Sequence, residues 1–178
     1  MASERMLLIL VVVLFSGCAG VGHYIPVVRI DRGEVQTIVT SGSVNFDNRG
    51  ASGLRNLDFR DMQVDLREIT QSLIDALTKE LNLQGIAVED SAAKTVTLAV
   101  KGVVVEIEGG GLTFACTVFI DVRLGDGESF FVEAKRSSYA SGFNVDTRPT
   151  KPLDKALSDA SIRILNHPRF LKFFEQGD

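Results

Sequence analysis

Between residues 65 and 84, Leu66, Ile69, Leu73, Leu77 and Leu81 recur at intervals of three and four, the spacing of one apolar stripe along a helix. Arg67, Glu68, Asp75, Lys79 and Glu80 occupy the remaining positions, so the helix needs a partner on one side and water on the other. Asp65, with Glu68 three residues later, has the form of an N-terminal capping box in which Asp replaces Ser or Thr. Gly85 supplies the stop. A helix of this kind covers one face of a sheet.

The rest of the chain supplies that sheet. Residues 25–30 and 34–46 are rich in β-formers, and Pro26 suits an edge strand. Residues 47–60 are polar apart from Leu54, Leu57 and Phe59 and read as a loop lying partly on the body. A short strand follows at 86–89, then a longer one at 94–108. In the longer strand Val96, Leu98 and Val100 share one face, whereas Val103, Val105 and Ile107 fall in the opposite phase, so a bulge is expected at Lys101-Gly102. After Gly109–Gly111, residues 112–124 alternate strictly. The Gly125-Asp126-Gly127 turn leads into residues 129–139, which makes a hairpin. Residues 141–149 read as a loop, and Thr150 as the cap of a second helix with its stripe at Leu153, Leu157, Ala160 and Ile164. Asn166-His167-Pro168 breaks that helix before a terminal helical turn. The order β-β-α-β-β-β-β-α predicts an α+β fold, an antiparallel meander with two main helices packed on one face.

The amino terminus has a different character. An unbroken apolar run from Met6 to Phe15 follows a short polar segment holding Arg5. Membrane-spanning helices need ~20 such residues, whereas the apolar core of a secretory signal needs ~7–15. The run ends in Phe15-Ser16-Gly17-Cys18. This resembles the bacterial lipobox, in which a large apolar residue, two small residues and a cysteine are read by lipoprotein-processing enzymes. Phe15 stands where Leu is commoner, and Glu4 offsets Arg5. The resemblance implies diacylglyceryl transfer to the Cys18 thiol, cleavage between Gly17 and Cys18, and acylation of the new amino terminus. Residues 1–17 are then the signal, 18–24 a lipidated tether and 25–178 a single periplasm-facing domain. Two or three acyl chains hold a protein stably where one does not. Ala19 rather than Asp follows the cysteine, which in the enterobacterial sorting pattern favours the outer membrane.

Removing residues 1–17 from 178 leaves enough chain for one domain with its own core, at a formal net charge of −4. Dispersed, mildly acidic charge gives no footprint for nucleic acid. No polybasic segment addresses anionic headgroups, so the lipid is expected to hold the membrane unaided. With Cys18 acylated, Cys116 has no intramolecular partner and reads as a small buried hydrophobe.

Chemistry is sparse. His23 lies in the tether and His167 at a helix break, neither at metal-ligand spacing, so no metal or cofactor is expected. His167 is expected to interact with the last helix carbonyls. Asp58, Asp61 and Asp65 could face one way as paired acids, but they open a helix, where negative charge is favoured. No G-x-S-x-G and no phosphate loop occurs. Gly109–Gly111 reads as a flexible turn or a mobile tip that touches a partner. Phe170, Phe173 and Phe174 form a cluster that either folds back as core or docks a partner.

In layout, from lipobox through long helix and meander to closing helix, the chain is similar to small periplasm-facing lipoproteins of the YajG type. The likeness rests on the 65–84 helix followed by Ile86-Ala87-Val88, the Cys116 strand, and the ending Ile164-Leu165 through Phe170-Leu171. That family carries no catalytic residues to transfer. The same shape resembles accessory lipoproteins of lipopolysaccharide assembly and of envelope transporters. The expectation is a non-enzymatic envelope lipoprotein that binds a protein partner through strand edges or the phenylalanine cluster. The alternative is a lipid- or small-ligand-binding accessory lipoprotein of a transport system, using the sheet–helix interface as an apolar cleft.

Overall fold

The computed structural model describes residues 23–39, 42–57, 62–108, 113–139 and 150–175. Strands β1 (Ser43–Asn48), β4 (Ala87–Val88), β5 (Lys94–Glu108), β6 (Thr113–Leu124) and β7 (Ser129–Tyr139) form one sheet in the order β4-β1-β5-β6-β7. Strands β2 (Leu54–Leu57) and β3 (Met62–Asp65) form a separate antiparallel pair. Helices α1 (Leu66–Leu83), α2 (Thr150–Leu165) and α3 (Pro168–Glu175) complete an α+β fold.

The β5-β6-β7 meander is antiparallel as expected. β1, however, runs parallel to both β4 and β5, so the sheet is mixed. The cause is α1, which carries the chain back along the strands after β1 and β3, so the next strands start from the same end as β1.

Leu66, Ile69, Leu73, Leu77 and Leu81 are each 2% exposed or less. The helix they stripe packs on β5, β1 and β4, sharing one core with Val44, Val96 and Leu98, while α2 covers β6 and β7. Each such side chain contributes ~1.5–3 kcal/mol on burial. Asp65 caps α1 by accepting from the Arg67 and Glu68 N–H groups at 2.7 and 3.4 Å, and also from Gly53 N–H at 2.8 Å. These bonds, led by that from Gly53, hold its carboxyl below the usual carboxylate range. Glu68 does not return to the cap but pairs with His23.

The expected irregularity in β5 is present as a register shift between Val100 and Gly102. It coincides with the end of β1, whose last pairing is Asn48 with Leu98. The Val100 N–H, just past that end, donates to the buried Thr70 hydroxyl at 3.0 Å, while that hydroxyl donates to the Leu66 carbonyl at 2.7 Å. Gly50 lies against the same turn of α1. A Cβ there would stand 2.5 Å from Thr70 Oγ1 and 2.7 Å from the Arg67 Cα, so glycine is required by close approach.

Two sequence expectations change. Residues 24–30 alternate inward and outward as a strand would, but their partners are side chains of a helix. Within 47–60, residues 54–57 form strand β2 rather than loop. Asp58, Phe59 and Asp61, the Gly109–Gly111 turn and the 141–149 loop lie outside the described residues.

Replacing Thr70 by Val keeps the shape but strands the Val100 N–H; urea unfolding should show a loss of ~1–3 kcal/mol. Asp65→Ala should lower stability by ~1 kcal/mol through the lost cap.

Candidate functional site

Residues 23–39 form a strap over the helix layer, and α2 is built to receive it. The Asp154 carboxylate accepts from the Tyr24 hydroxyl at 2.6 Å and from the Val27 N–H at 2.9 Å. One turn on, Ser158 Oγ accepts from the Arg29 N–H at 3.0 Å. Two turns further, Asn166 accepts from the Gln36 N–H and donates to the Glu34 carbonyl. Asp154, Ser158 and Asn166 are four and eight apart, so one helix face presents polar groups to an extended backbone. From α1, Glu80 pairs with Arg32 at 3.4 Å, and Gln84 accepts from the Ile38 N–H. Tyr24, Val28 and Ile30 pack inward on the core. Burial, and then the Asp154 carboxylate, raises the Tyr24 hydroxyl well above its usual pKa, so it remains a donor at any physiological pH.

Beside the strap runs a groove of about 580 Å³, lined by Val27, Arg29, Lys151, Lys155 and Ile162 among others. Its floor includes Asp159, about 10% exposed, which pairs with Arg136 of β7 at 2.6 Å and Arg163 at 3.0 Å. That arrangement ties α2 to β7 and leaves no uncompensated charge.

Among the described residues, no helix packs on the opposite face of the sheet. Ala99, Ala115 and Thr117 make a floor of small buried residues there. Phe119 and Phe131 stack across it with ring centroids 6.1 Å apart, and Phe131 is 53% and Val104 45% exposed. Salt bridges from Lys135 to Glu106 and Glu108, both at 2.8 Å, and from Lys101 to Asp121 border it. Along the outer edge of β7, Arg163 and Arg169 donate to the Glu133 and Ser129 carbonyls, which covers part of an otherwise open edge.

The sequence candidates separate. Cys18 and Gly17 lie outside the described residues. Phe170, Phe173 and Phe174 are 0, 5 and 2% exposed and pack on one another, so the folded domain keeps them in its core and does not present them to a partner. The sheet–helix interface proposed as a cleft is filled by side chains with no exposure, among them Leu73, Leu98, Ile120 and Leu157. Cys116 is buried, and burial pushes its thiol up to about 12. Asp65 is engaged as a cap, His23 pairs with Glu68 at 2.6 Å, and no group of three His, Cys, Asp or Glu could hold a metal ion among the described residues.

His167 does not bind the last carbonyls through its ring. The ring stacks on Phe130 at 3.7 Å, and Nδ1 accepts from the Arg169 N–H. Burial, then the nearby Arg169 charge, lowers its pKa. Sequence reasoning missed the strap because Asp154, Ser158 and Asn166 look like ordinary polar positions of a surface helix. It missed Phe131 because an outward aromatic in an alternating strand is unremarked on its own.

No protein-family model and no curated protein matches this chain. Among solved structures, it is similar to a Xanthomonas campestris protein of the DUF330 family, with a TM-score of 0.61 and 17% identity over 87% of this chain and 98% of the other. Rare lipoprotein B of Shewanella oneidensis follows at a TM-score of 0.49 and 11% identity, covering 69% of this chain and 90% of that one. A minor lipoprotein of Acinetobacter baumannii gives 0.47 and 13%, covering 72% and 92%.

Two outcomes follow. The neutral His167 ring stabilises the fold above the unfolded pKa of ~6.5, and that contribution is lost as pH falls through its lower folded value. Melting temperatures from pH 7.5 to 5 should therefore fall less in His167→Phe than in the parent. At pH 8, the Cys116 thiol should resist an aromatic disulfide reagent until denaturant is added. The overall fold of the chain is thus similar to that of the DUF330 protein from Xanthomonas campestris.

Proposed function

We propose that this chain is a lipid-anchored bacterial envelope lipoprotein whose domain works by binding another envelope component and not by catalysis. The observation that carries the reading is the sheet face on which no described helix packs, where Phe131 and Val104 stand exposed around a floor of small residues. An apolar surface rimmed by charge is the form of a protein-contact site. In the proposal Cys18 carries the lipid, cleavage falls between Gly17 and Cys18, and the domain faces the periplasm from the outer membrane. The YajG-type resemblance belongs to the same reading. The fold likeness supports a domain of this shape and brings no activity with it.

Cys18→Ser should remove the acyl mass and, because cleavage follows acylation, leave residues 1–17 attached, both read by intact mass. A parent of unacylated mass overturns the anchor. For the partner, a photocrosslinking residue at Phe131 in intact cells should yield one reproducible envelope adduct. A crosslinker at Lys172, on the exposed side of α3, serves as the control that should yield none. Identical adduct patterns at both positions, or none at either across growth conditions, count against the sheet face.

A further inference from the structure

The sequence has no basic run, yet the fold gathers three cations at one end of the strap groove. Arg29 comes from the strap, and Lys151 and Lys155 from α2. None of these three side chains forms an ion pair with a described residue. The carboxylate between them, Asp154, accepts from the Tyr24 hydroxyl and the Val27 N–H and keeps its single negative charge, which the three cations outnumber. Asp159 is answered by Arg136 and Arg163. The remaining acids of the groove, Asp31 and Glu34, lie farther along the strap, toward Asn166 at the other end of α2. Charge in the groove is therefore graded, positive where the strap begins. Exposed apolar side chains flank the same end, with Ile25 at 57% and Val27 at 54%.

The strap begins at His23, fixed by its bridge to Gln63 and its contact with Glu68. Cys18 lies five residues upstream, a reach of no more than about 18 Å in extended chain. We propose that this end of the domain rests on the anionic phospholipid surface that holds the anchor. Ile25 and Val27 enter the headgroup layer, and Arg29, Lys151 and Lys155 meet lipid phosphates. The inference rests on the reading of Cys18 as the lipidated residue. Basic side chains beside an anionic leaflet each strengthen binding by roughly fivefold, and the effect is screened by salt.

The test uses the full chain. Lipidated protein is reconstituted into vesicles of phosphatidylethanolamine alone or with phosphatidylglycerol, and lysine acylation is read by mass spectrometry. Lys151 and Lys155 should label several-fold more slowly on the phosphatidylglycerol vesicles, and high salt should restore them, while Lys101 on the opposite sheet face and Lys172 on α3 stay unchanged. Equal labelling on both vesicles overturns the proposal. Slow labelling already present in detergent also overturns it, because a second copy would then cover this face. Independently of the anchor, full-length Cys18→Ser protein should sediment more with phosphatidylglycerol-containing vesicles than with phosphatidylethanolamine vesicles at low salt, the amino-terminal apolar run being common to both. Adding Lys151→Glu and Lys155→Glu should weaken that by at least about 25-fold, two cations at roughly fivefold each, with an unchanged circular dichroism melt. If the parent proves unacylated by intact mass while this sedimentation difference holds, the anchor reading fails and the surface stands. If the parent is acylated and the difference is absent, the reverse is true.

Discussion

Burial of one face of the β5–β6 pair beneath α1 and α2 is the constraint on which the other features depend. Val96, Leu98, Ile120 and Val122 have no exposure, and the stripe side chains Ile69, Leu73, Leu77, Leu81, Leu153, Leu157 and Ile164 of the two helices have none either. Once that layer is closed, every polar group inside it needs a local answer. Thr70 answers the Val100 N–H beyond the end of β1, and the Arg136–Asp159–Arg163 arrangement answers the carboxylate buried under α2. Both are consequences of the same packing, since an unpaired buried donor or charge costs more than a paired one contributes.

The closed layer also determines where function can lie. With the interior filled and the three terminal phenylalanines inside it, recognition is left to surfaces. Two stand out. The sheet face on which no described helix packs is mixed in character, with aromatic rings beside small residues and salt bridges at the rim. The outer side of the helix layer carries the strap, whose backbone is read by side chains spaced along α2. These surfaces are on opposite sides of the domain, so the two proposed contacts do not compete for one face.

Much of the secondary structure was legible, and the reasons are local. The stripe of α1, the Asp65 cap, the Gly85 stop, the phase change at Lys101-Gly102 and the hairpin through Gly125–Gly127 are each set by residues close in sequence. The site was legible far less. Residues 24–30 have strand chemistry, and sequence alone cannot say that their hydrogen-bond partners are Asp154 and Ser158, well over a hundred residues away. The same limit applies to Phe170, Phe173 and Phe174, whose amphipathic spacing fits either a core helix or a docking helix. Only the placement of α3 on the core selects the first.

What the sequence determined by itself was the class of fold and the expected address, because helix period, strand alternation, turn chemistry and the Phe15-Ser16-Gly17-Cys18 pattern are written in neighbouring residues. What only the tertiary structure decided was the parallel placement of β1, the course of the strap, and the meeting of Arg29 with Lys151 and Lys155. Those depend on segments far apart in the chain being brought together by the burial of a shared core, and no local pattern encodes such a meeting.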